Sequence, residues 1–469
     1  MRSLLLATAA AVFLPQAAHA SPDDDGPDPL DEVVVTATRL PAIVADTPGA
    51  RVIDRETIDR RGAVFAADIL SDVPGLSVVR SGAFGGVAQV RMRGASPGKT
   101  LVLIDGVPVN DPAEVNGAFD FSGLELSDIE RIEVLSGPQS SLWGSDAIGG
   151  VIAFTTRELD GLALEAEAGS FDTVRGRLAA GVAFVLGAER EETEGSLSTG
   201  LSERLGTTSA FATARIDPAA RLSLTGALRF DDTDDFGAKT TGRLSAALDA
   251  GAGVTLSAAW GTGFKAPSIS QAVCDFCFSS QPFPVLRPET ATGYEAAVGW
   301  ASADGRIEGR ATAYRLEVED QITYVFDPAT FDSHYVNVAE TATDGVELEG
   351  RARLGGGFDL GLAWAWTDAR DETTGARLLR VPEQAGSATL GWSGERLSAA
   401  LTVRGESDQD DAGGVREAFV TASLNGSYAL SDRVELTARI ENLANARYQQ
   451  VFGYGEPGRS ASVGIRLRY

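Results

Sequence analysis

The sequence predicts a mainly β protein: a transmembrane antiparallel β-barrel preceded by a small α+β domain. Three observations carry this expectation. After Arg157, more than a dozen strand-length segments alternate apolar and polar residues with period two, separated by turn chemistry and mostly without helices between them. Before Arg157 the pattern is mixed, with short elements of both kinds. The chain also opens on an export signal, yet offers no later apolar run of the ~20 residues that a membrane-spanning helix takes.

Met1-Arg2 is followed by an apolar stretch from Leu4 to Leu14 and by Ala18-His19-Ala20, the small-x-small form that signal peptidase accepts. Residues 1–20 are therefore expected to be a cleaved signal peptide, with Ser21 as the mature start. "SPDDDGPDPLDE" is too acidic and proline-broken to bury enough apolar surface to offset its ordering entropy, so residues 21–44 are expected to form a flexible tether. On that tether hangs "DEVVVTATR", whose β-branched residues favour an extended conformation. It is either the first strand of the following domain or a handle that adds itself to a partner's sheet, where backbone hydrogen bonds supply affinity.

Residues 45–157 are expected to form a compact domain of ordinary size. Ile58, Phe65, Ile69 and Leu70 recur at roughly helical spacing, and Val73-Pro74-Gly75 ends that helical region. Short strands follow at "LSVVR", "VAQVRMR" and "KTLVLI". In "LIDGVPV" the Asp105-Gly106 pair between two apolar runs is a strong hairpin signal. "LSDIERIEVLSGP" predicts a capped helical turn at Ser127 leading into a strand. Gly94, Gly137, Gly144, Gly149 and Gly150 fit neither GxGxxG after a strand nor GxxxxGK[ST], so they are expected at turns and close backbone contacts, not around a phosphate.

Residues 158–469 carry the alternating segments, among them "GVTLSAAWGTG", "GYEAAVGWA", "VELEGRARL" and "SVGIRLRY", with "SADG", "LGGG", "WSGE" and "ALSD" as turns between strands. A soluble sandwich would alternate too. The number of successive hairpins and the terminal aromatic Tyr469 favour a closed membrane barrel.

A net charge of -26 argues against nucleic acid, which needs lysine and arginine in excess on one face. Only His19 and His334 exist, so triads, multi-histidine metal sites and proton shuttles built on histidine are unavailable. Cys274 and Cys277 in "VCDFCFSS" meet an oxidising environment after export and predict a local disulfide in a surface loop; a pair of free thiols is the alternative. A metal there is disfavoured, because two thiolates leave a tetrahedral ion half unligated. "DDTDDFG", Asp231 to Gly237, is oxygen-rich, but a calcium site takes 6–8 converging oxygens, and a solvated strand-end turn is the expectation.

Several stretches together resemble the TonB-dependent outer-membrane receptors, and most closely the cobalamin (vitamin B12) receptor subgroup. They are "DEVVVTATR", "VRMRGASPGKTLVLIDGVPVND", "IERIEVLSGPQSSLWGSDAIGGVIAFTTR", "WGTGFKAPSISQ", "RPETATGYEAAV" and "ENLANARYQQVFGYGEPGRSASVGIRLRY". The resemblance implies that residues 45–157 are a plug inside the barrel. It also implies that Glu32, Val33, Val34, Val35, Thr36, Ala37 and Thr38 form the TonB box, engaged in the periplasm by TonB. Arg93 matches a plug arginine that pairs with barrel glutamates, and Glu289 and Glu295 lie in the matching barrel string. Ser136 stands where many relatives have arginine before Gly-Pro, which removes one expected contact of that kind.

One departure is size. Family barrels have 22 strands, whereas only 312 residues follow Arg157 and "FKAPS" arrives about 107 residues after the plug ends. Phe171 to Glu192 looks like two half-strands joined, and counting it as one long strand gives about 16 strands in all. Barrel diameter grows with strand number, so such a lumen would have about half the cross-section and a plug of this size would not fit without rearrangement. The expected protein is a non-enzymatic, monomeric outer-membrane receptor for uptake of cobalamin or a similar scarce metal chelate, with outer-membrane lipid and TonB as partners, no cofactor and no nucleic acid. A siderophore-iron receptor is the alternative within the family; outside it stand a truncated, non-transporting barrel and a secreted soluble β protein. No substrate or metal residues are assigned from the sequence.

Overall fold

The computed structural model describes residues 34–35, 37, 42–44, 47–81, 86–111, 114, 116–157, 162–169, 173–180, 193–196, 202–205, 207–219, 221–233, 236–268, 271, 274, 277–278, 283, 285–326, 331–431 and 433–468. Residues 1–20, expected as a signal peptide, and most of residues 21–44, expected as a tether, lie outside them.

After the plug's edge strand Ala50–Ile53, two helices stand where the periodicity suggests one helical region. Arg55–Arg61 is capped by the Asp54 side chain, which accepts from Thr57 N–H, and it stops at Gly62, whose φ of 60° is the left-handed conformation that ends helices. Ala66–Leu70 then begins afresh and buries Ala66, Ala67, Ile69 and Leu70. The strand Leu76–Arg80 pairs with Ala88–Met92. A five-stranded sheet runs in the order Ala50–Ile53, Ile129–Ser136, Gly150–Thr156, Thr100–Ile104, Val107–Pro108. Its last pair is the hairpin at Asp105-Gly106, with φ of 49° and 80°, values that let a two-residue turn follow the strand twist. At Ser127 a tight turn, not a helical one, leads into Ile129–Ser136, with Ile129 N–H bonded to Leu126 O at 3.1 Å. Ile58, Leu70, Met92, Val102, Leu126, Ile132, Ile152 and Phe154 make the core between helices and sheets. Gly150 (φ 145°) shows what the plug glycines do: a Cβ there would lie 2.1 Å from Leu135 O, so the strand can approach its neighbour only without a side chain.

Among the described residues, fifteen strands form one antiparallel sheet. It runs sequentially from Thr207–Ala219 through Leu222–Thr233, Gly237–Gly251, Val254–Lys265, Glu289–Ala301, Ile307–Phe326, Ser333–Gly355, Phe358–Asp371, Gln384–Ser393, Leu397–Glu406, Phe419–Ser431 and Val434–Glu441 to Ser460–Arg468. The last of these pairs with Leu162–Gly169, which in turn pairs with Thr173–Ala180. The first and last strands of the barrel domain are thus hydrogen-bonded neighbours, and the sheet's two ends among the described residues are Thr173–Ala180 and Thr207–Ala219. Thr193–Ser196 and Ser202–Leu205 form a separate hairpin. Of the segment expected as one long strand, residues 173–180 are strand, while 171–172 and 181–192 lie outside the described residues.

Alternation sorts the wall into two faces. Leu244, Leu248, Leu256, Trp260, Val298, Leu348, Leu362, Trp364, Leu401 and Leu424 are exposed, and they meet one another across strands, as in Leu244↔Trp260, Leu256↔Val298 and Leu348↔Trp364. Exposed leucine and tryptophan in such a continuous band are what a lipid-facing surface requires. Buried alternates such as Ser257, Ala259, Thr312, Glu347 and Thr402 face the plug. Connections at one rim are tight, as at Gly356-Gly357, whereas those at the other include 266–288, 372–383, 407–418 and 442–459.

The plug is seated against the inner wall; the expectation was that in a barrel of about 16 strands it would not fit without rearrangement. The physical reason is the size of the inward residues. Gly261, Gly263 and Gly293 line the wall beside plug residues Pro138 to Ile148, and a Cβ on Gly293 would lie 2.4 Å from the Pro138 ring. Small residues let the two surfaces meet without a wider barrel.

Candidate functional site: the plug and barrel lock

Arg93 ends the strand Ala88–Met92 with φ of 49°, its N–H held by Gly75 O at 2.7 Å. That conformation is uncommon for a residue with a Cβ and persists only where surroundings over-determine it. Here they do. Nε and Nη2 donate to the two oxygens of Glu347 at 3.0 and 3.2 Å, Nη1 donates to Glu295 at 3.0 Å, and the Tyr314 ring lies 4.1 Å beneath the guanidinium carbon. Both acids sit on barrel strands.

Two more arginines complete the cluster. Arg51, on the plug edge strand, donates to Glu347 through Nη2 and to Glu349 through Nε at 2.6 Å. Its Nη1 donates to Ser136 Oγ at 3.4 Å, so a plug arginine from elsewhere in the chain touches the position where relatives carry one. Arg243, on the wall, donates to Glu295 at 2.6 Å and to Pro138 O at 3.2 Å. Three arginines thus face three glutamates. Burial on its own pulls the guanidinium groups of Arg51 and Arg93 down, but the glutamates outweigh it and hold both above the ordinary arginine value.

Glu289 makes a plug–barrel contact as expected, but away from Arg93. It lies six residues up the same strand as Glu295, ~20 Å at strand rise, and pairs with Lys99 at 3.1 Å while accepting Ile322 N–H at 2.6 Å. Nearby, Lys265 pairs with Asp146 at 3.0 Å and Ala266 N–H donates to Ser145 Oγ at 2.9 Å. Further ties run round the wall: Arg60 to Asp359, Arg404 to Ser71 O, and Arg439 to Gly62 O.

Of the seven TonB-box candidates, Glu32, Val33, Thr36 and Thr38 lie outside the described residues. Val34–Val35 pairs with Ala42–Ile43 as a short antiparallel ladder. Ala37 is buried, its N–H donating to Glu133 Oε2 at 2.7 Å and its carbonyl accepting from Trp143 Nε1 at 2.6 Å. Cys274 and Cys277 are joined by a disulfide and pack against Leu286, Ile322 and Tyr335 in a loop at the long-loop rim. Asp231 is bonded to Arg229, and among the described residues no cluster of acids, cysteines and histidines suited to a metal ion occurs.

The sequence marks Arg93 and Glu295 but not Arg51, Arg243, Glu347 or Glu349. A signal for the last two was present in "VELEGRARL", where both acids fall on the face opposite Val346 and Leu348.

A barrel whose lumen holds a small α+β domain, fastened by buried ion pairs, defines a plugged outer-membrane receptor. Residues 44–151 match the TonB-dependent receptor plug domain, and residues 142–443 match the TonB-dependent receptor-like β-barrel. The chain belongs to the TonB-dependent receptor family, whose members are outer-membrane β-barrels.

Solved structures share the fold. A point mutant of the ferric enterobactin receptor PfeA from Pseudomonas aeruginosa superposes with a TM-score of 0.75 at 16% identity, covering 93% of this chain and 100% of that one. The copper transporter OprC gives 0.74 at 16% identity over 91% and 100%. The siderophore receptor PirA from Acinetobacter baumannii gives 0.73 at 14% over 91% and 99%.

Proposed function

We propose that this receptor takes up a scarce metal chelate, a siderophore complex or cobalamin, by energy-coupled transport across the outer membrane. Residues 1–20 direct export, and TonB engages residues 32–38. The observation that carries the reading is the lock. Arg51 and Arg93 tie the plug to Glu295 and Glu347 out of contact with bulk water, and Arg51 also to the partly exposed Glu349, so the lumen does not open by thermal motion alone and passage needs work done on the plug. A passive pore would have no use for such a fastening. The sequence motifs favour cobalamin, whereas the neighbours sharing the fold carry siderophore and copper in their names.

The test is uptake of labelled ferric siderophore and of labelled cobalamin by cells expressing the receptor, with and without TonB, and with residues 31–39 deleted. Accumulation of one label that falls to background in both the TonB-less strain and the deletion is expected. Uptake unchanged by the deletion would sink the reading.

A further inference from the structure

Two cavities lie between the plug and the barrel wall, three to six strands along the sheet from Ser333–Gly355, which carries Glu347 and Glu349. One, of about 250 Å³, reaches the tight-turn rim at Ser393 and Ser398. The other, of about 240 Å³, reaches the long-loop rim at Tyr448 and Glu456. They follow the same inward rows of the wall: along Leu397–Glu406 the first touches Ser398 and Ala400, and the second Thr402 and Arg404. Val64 of the plug and Arg439 of the wall line both, so the two cavities abut there.

The neck between them is closed by bonds whose acceptors are uncharged. Asn425 Nδ2 donates to Arg61 O, Arg439 Nη1 donates to Gly62 O at 2.9 Å, and Arg61 Nη1 donates to Ser423 Oγ at 3.1 Å. The ion pairs across this seam are long, Arg61 to Glu441 at 3.8 Å and Asp59 to Arg466 at 3.4 Å, and their carboxylates are 39% and 31% exposed. The short pair of Arg60 with Asp359 sits outside the seam, on the strand Phe358–Asp371. Pairs so open to water hold little, unlike the lock, where Glu295 and Glu347 are no more than 4% exposed. The lining is also wettable. Asn425 Oδ1 at the neck, with Gln450 Oε1 and Glu456 Oε1 in the second cavity, are buried acceptors without a hydrogen-bond partner, and polar atoms placed in such cavities call for water.

We infer that the passage through the receptor runs along this seam, against the strands Leu397–Glu406, Phe419–Ser431, Val434–Glu441 and Ser460–Arg468, and that Asn425 and Arg439 are the wall residues that close it. All three closing bonds involve Arg61 or Gly62, the end of the helix Arg55–Arg61. Displacing that end joins the two cavities from rim to rim while the Arg93 side of the plug keeps its place. Arg51 stands four positions before the helix, so its hold on Glu347 also holds the neck shut. The inference rests on the uptake reading above and locates the route within it.

The experiment compares two cysteine pairs in the full-length receptor. A Cβ on Gly62 would lie 3.3 Å from that of Asn425, and one on Gly94 would lie 3.0 Å from that of Ala369 on the strand Phe358–Asp371, both close to disulfide reach. The two glycines have left-handed φ of 60° and 77°, so the strain of a cysteine is matched between them. Cells expressing Gly62→Cys/Asn425→Cys or Gly94→Cys/Ala369→Cys are assayed for labelled ferric siderophore and labelled cobalamin, oxidised and after dithiothreitol, beside wild type treated alike. Heat-modifiable gel mobility identifies correctly folded variants. The Gly62–Asn425 cross-link is expected to stop uptake until it is reduced, and the Gly94–Ala369 cross-link to leave uptake near wild type. Uptake through an oxidised Gly62–Asn425 cross-link would overturn the inference, as would equal loss in both pairs. Planar-bilayer conductance of the purified receptor needs no cargo: Asn425→Ala/Arg439→Ala is expected to conduct ions severalfold above wild type, and Thr312→Ala/Thr343→Ala, on the lock side, is not. Equal conductance of these two variants would also overturn the inference. A wild type that accumulates neither label fails the receptor reading, and the conductance comparison then decides the route by itself.

Discussion

At Glu347 a single carboxylate serves two guanidinium groups of the plug, with its side chain fully out of solvent. Removing its charge leaves Arg51 with Glu349 alone and Arg93 with Glu295 alone, and a buried ion pair broken from one side costs about 3–5 kcal/mol. Glu347→Gln is therefore expected to loosen the plug by roughly that amount, read as a lower denaturant midpoint for the fluorescence of Trp143. A shift no larger than that of the exposed control Glu308→Gln would count against the lock. The residue scale is also where the sequence was hardest to read. Alternation assigns Glu347 to the inner face, but its height against Arg51, 296 positions away, is set only once the plug and the wall have met. Arg93 and Glu295 were legible because their neighbouring residues form whole motifs. Glu289 was legible as a plug contact but not by partner, since strand position, not motif membership, decides that it reaches Lys99.

Among the elements, the long-rim segment 442–459 holds a group poised to titrate. Glu456 is half-buried, with a buried Oε1 that lacks a hydrogen-bond partner. Burial pushes its carboxyl from the ordinary 4.5 up to about 7; Asp68 adds to the effect, while Arg80 and Arg404 oppose it. A raised carboxyl is stabilising in its protonated form. The loop's hold on the plug is therefore complete below about 4.5 and is lost as pH rises through about 7. Hydrogen exchange of 442–459 is expected to be slower at pH 5 than at pH 8 in the wild type and to differ little between the two in Glu456→Gln; the same pH dependence in the variant would refute the assignment. Elements with strong local chemistry were legible in advance, as the Asp105-Gly106 hairpin shows. The break at Gly62 was not, because apolar spacing continues across it while the backbone turns left-handed.

For the whole molecule, the pairing of Leu162–Gly169 with Ser460–Arg468 and the exposed apolar band make a lipid-embedded barrel the only comfortable setting for this surface. The full-length protein is expected to partition with detergent and to migrate faster on gels unheated than boiled; identical mobility would contradict a stable barrel. Barrel class was legible because period-two alternation repeats strand after strand. Fit was not, since an estimate from strand number treats the wall as having constant thickness, whereas Gly261, Gly263 and Gly293 thin it where the plug comes closest.

The position of Arg51 sets the order in which a pulling force would be felt. Load applied at the N-terminal end reaches the Val34–Val35 ladder with Ala42–Ile43 first and then Ala37 with its two backbone bonds, from which about fourteen residues lead to Arg51. Fully drawn out, that slack is ~50 Å. When it is spent, tension falls on Ala50–Ile53, a four-residue strand at the margin of the plug sheet. The seam that peels most easily also bears the first arginine of the fastening, so one mechanical event both starts to unravel the plug and slips its grip on the wall.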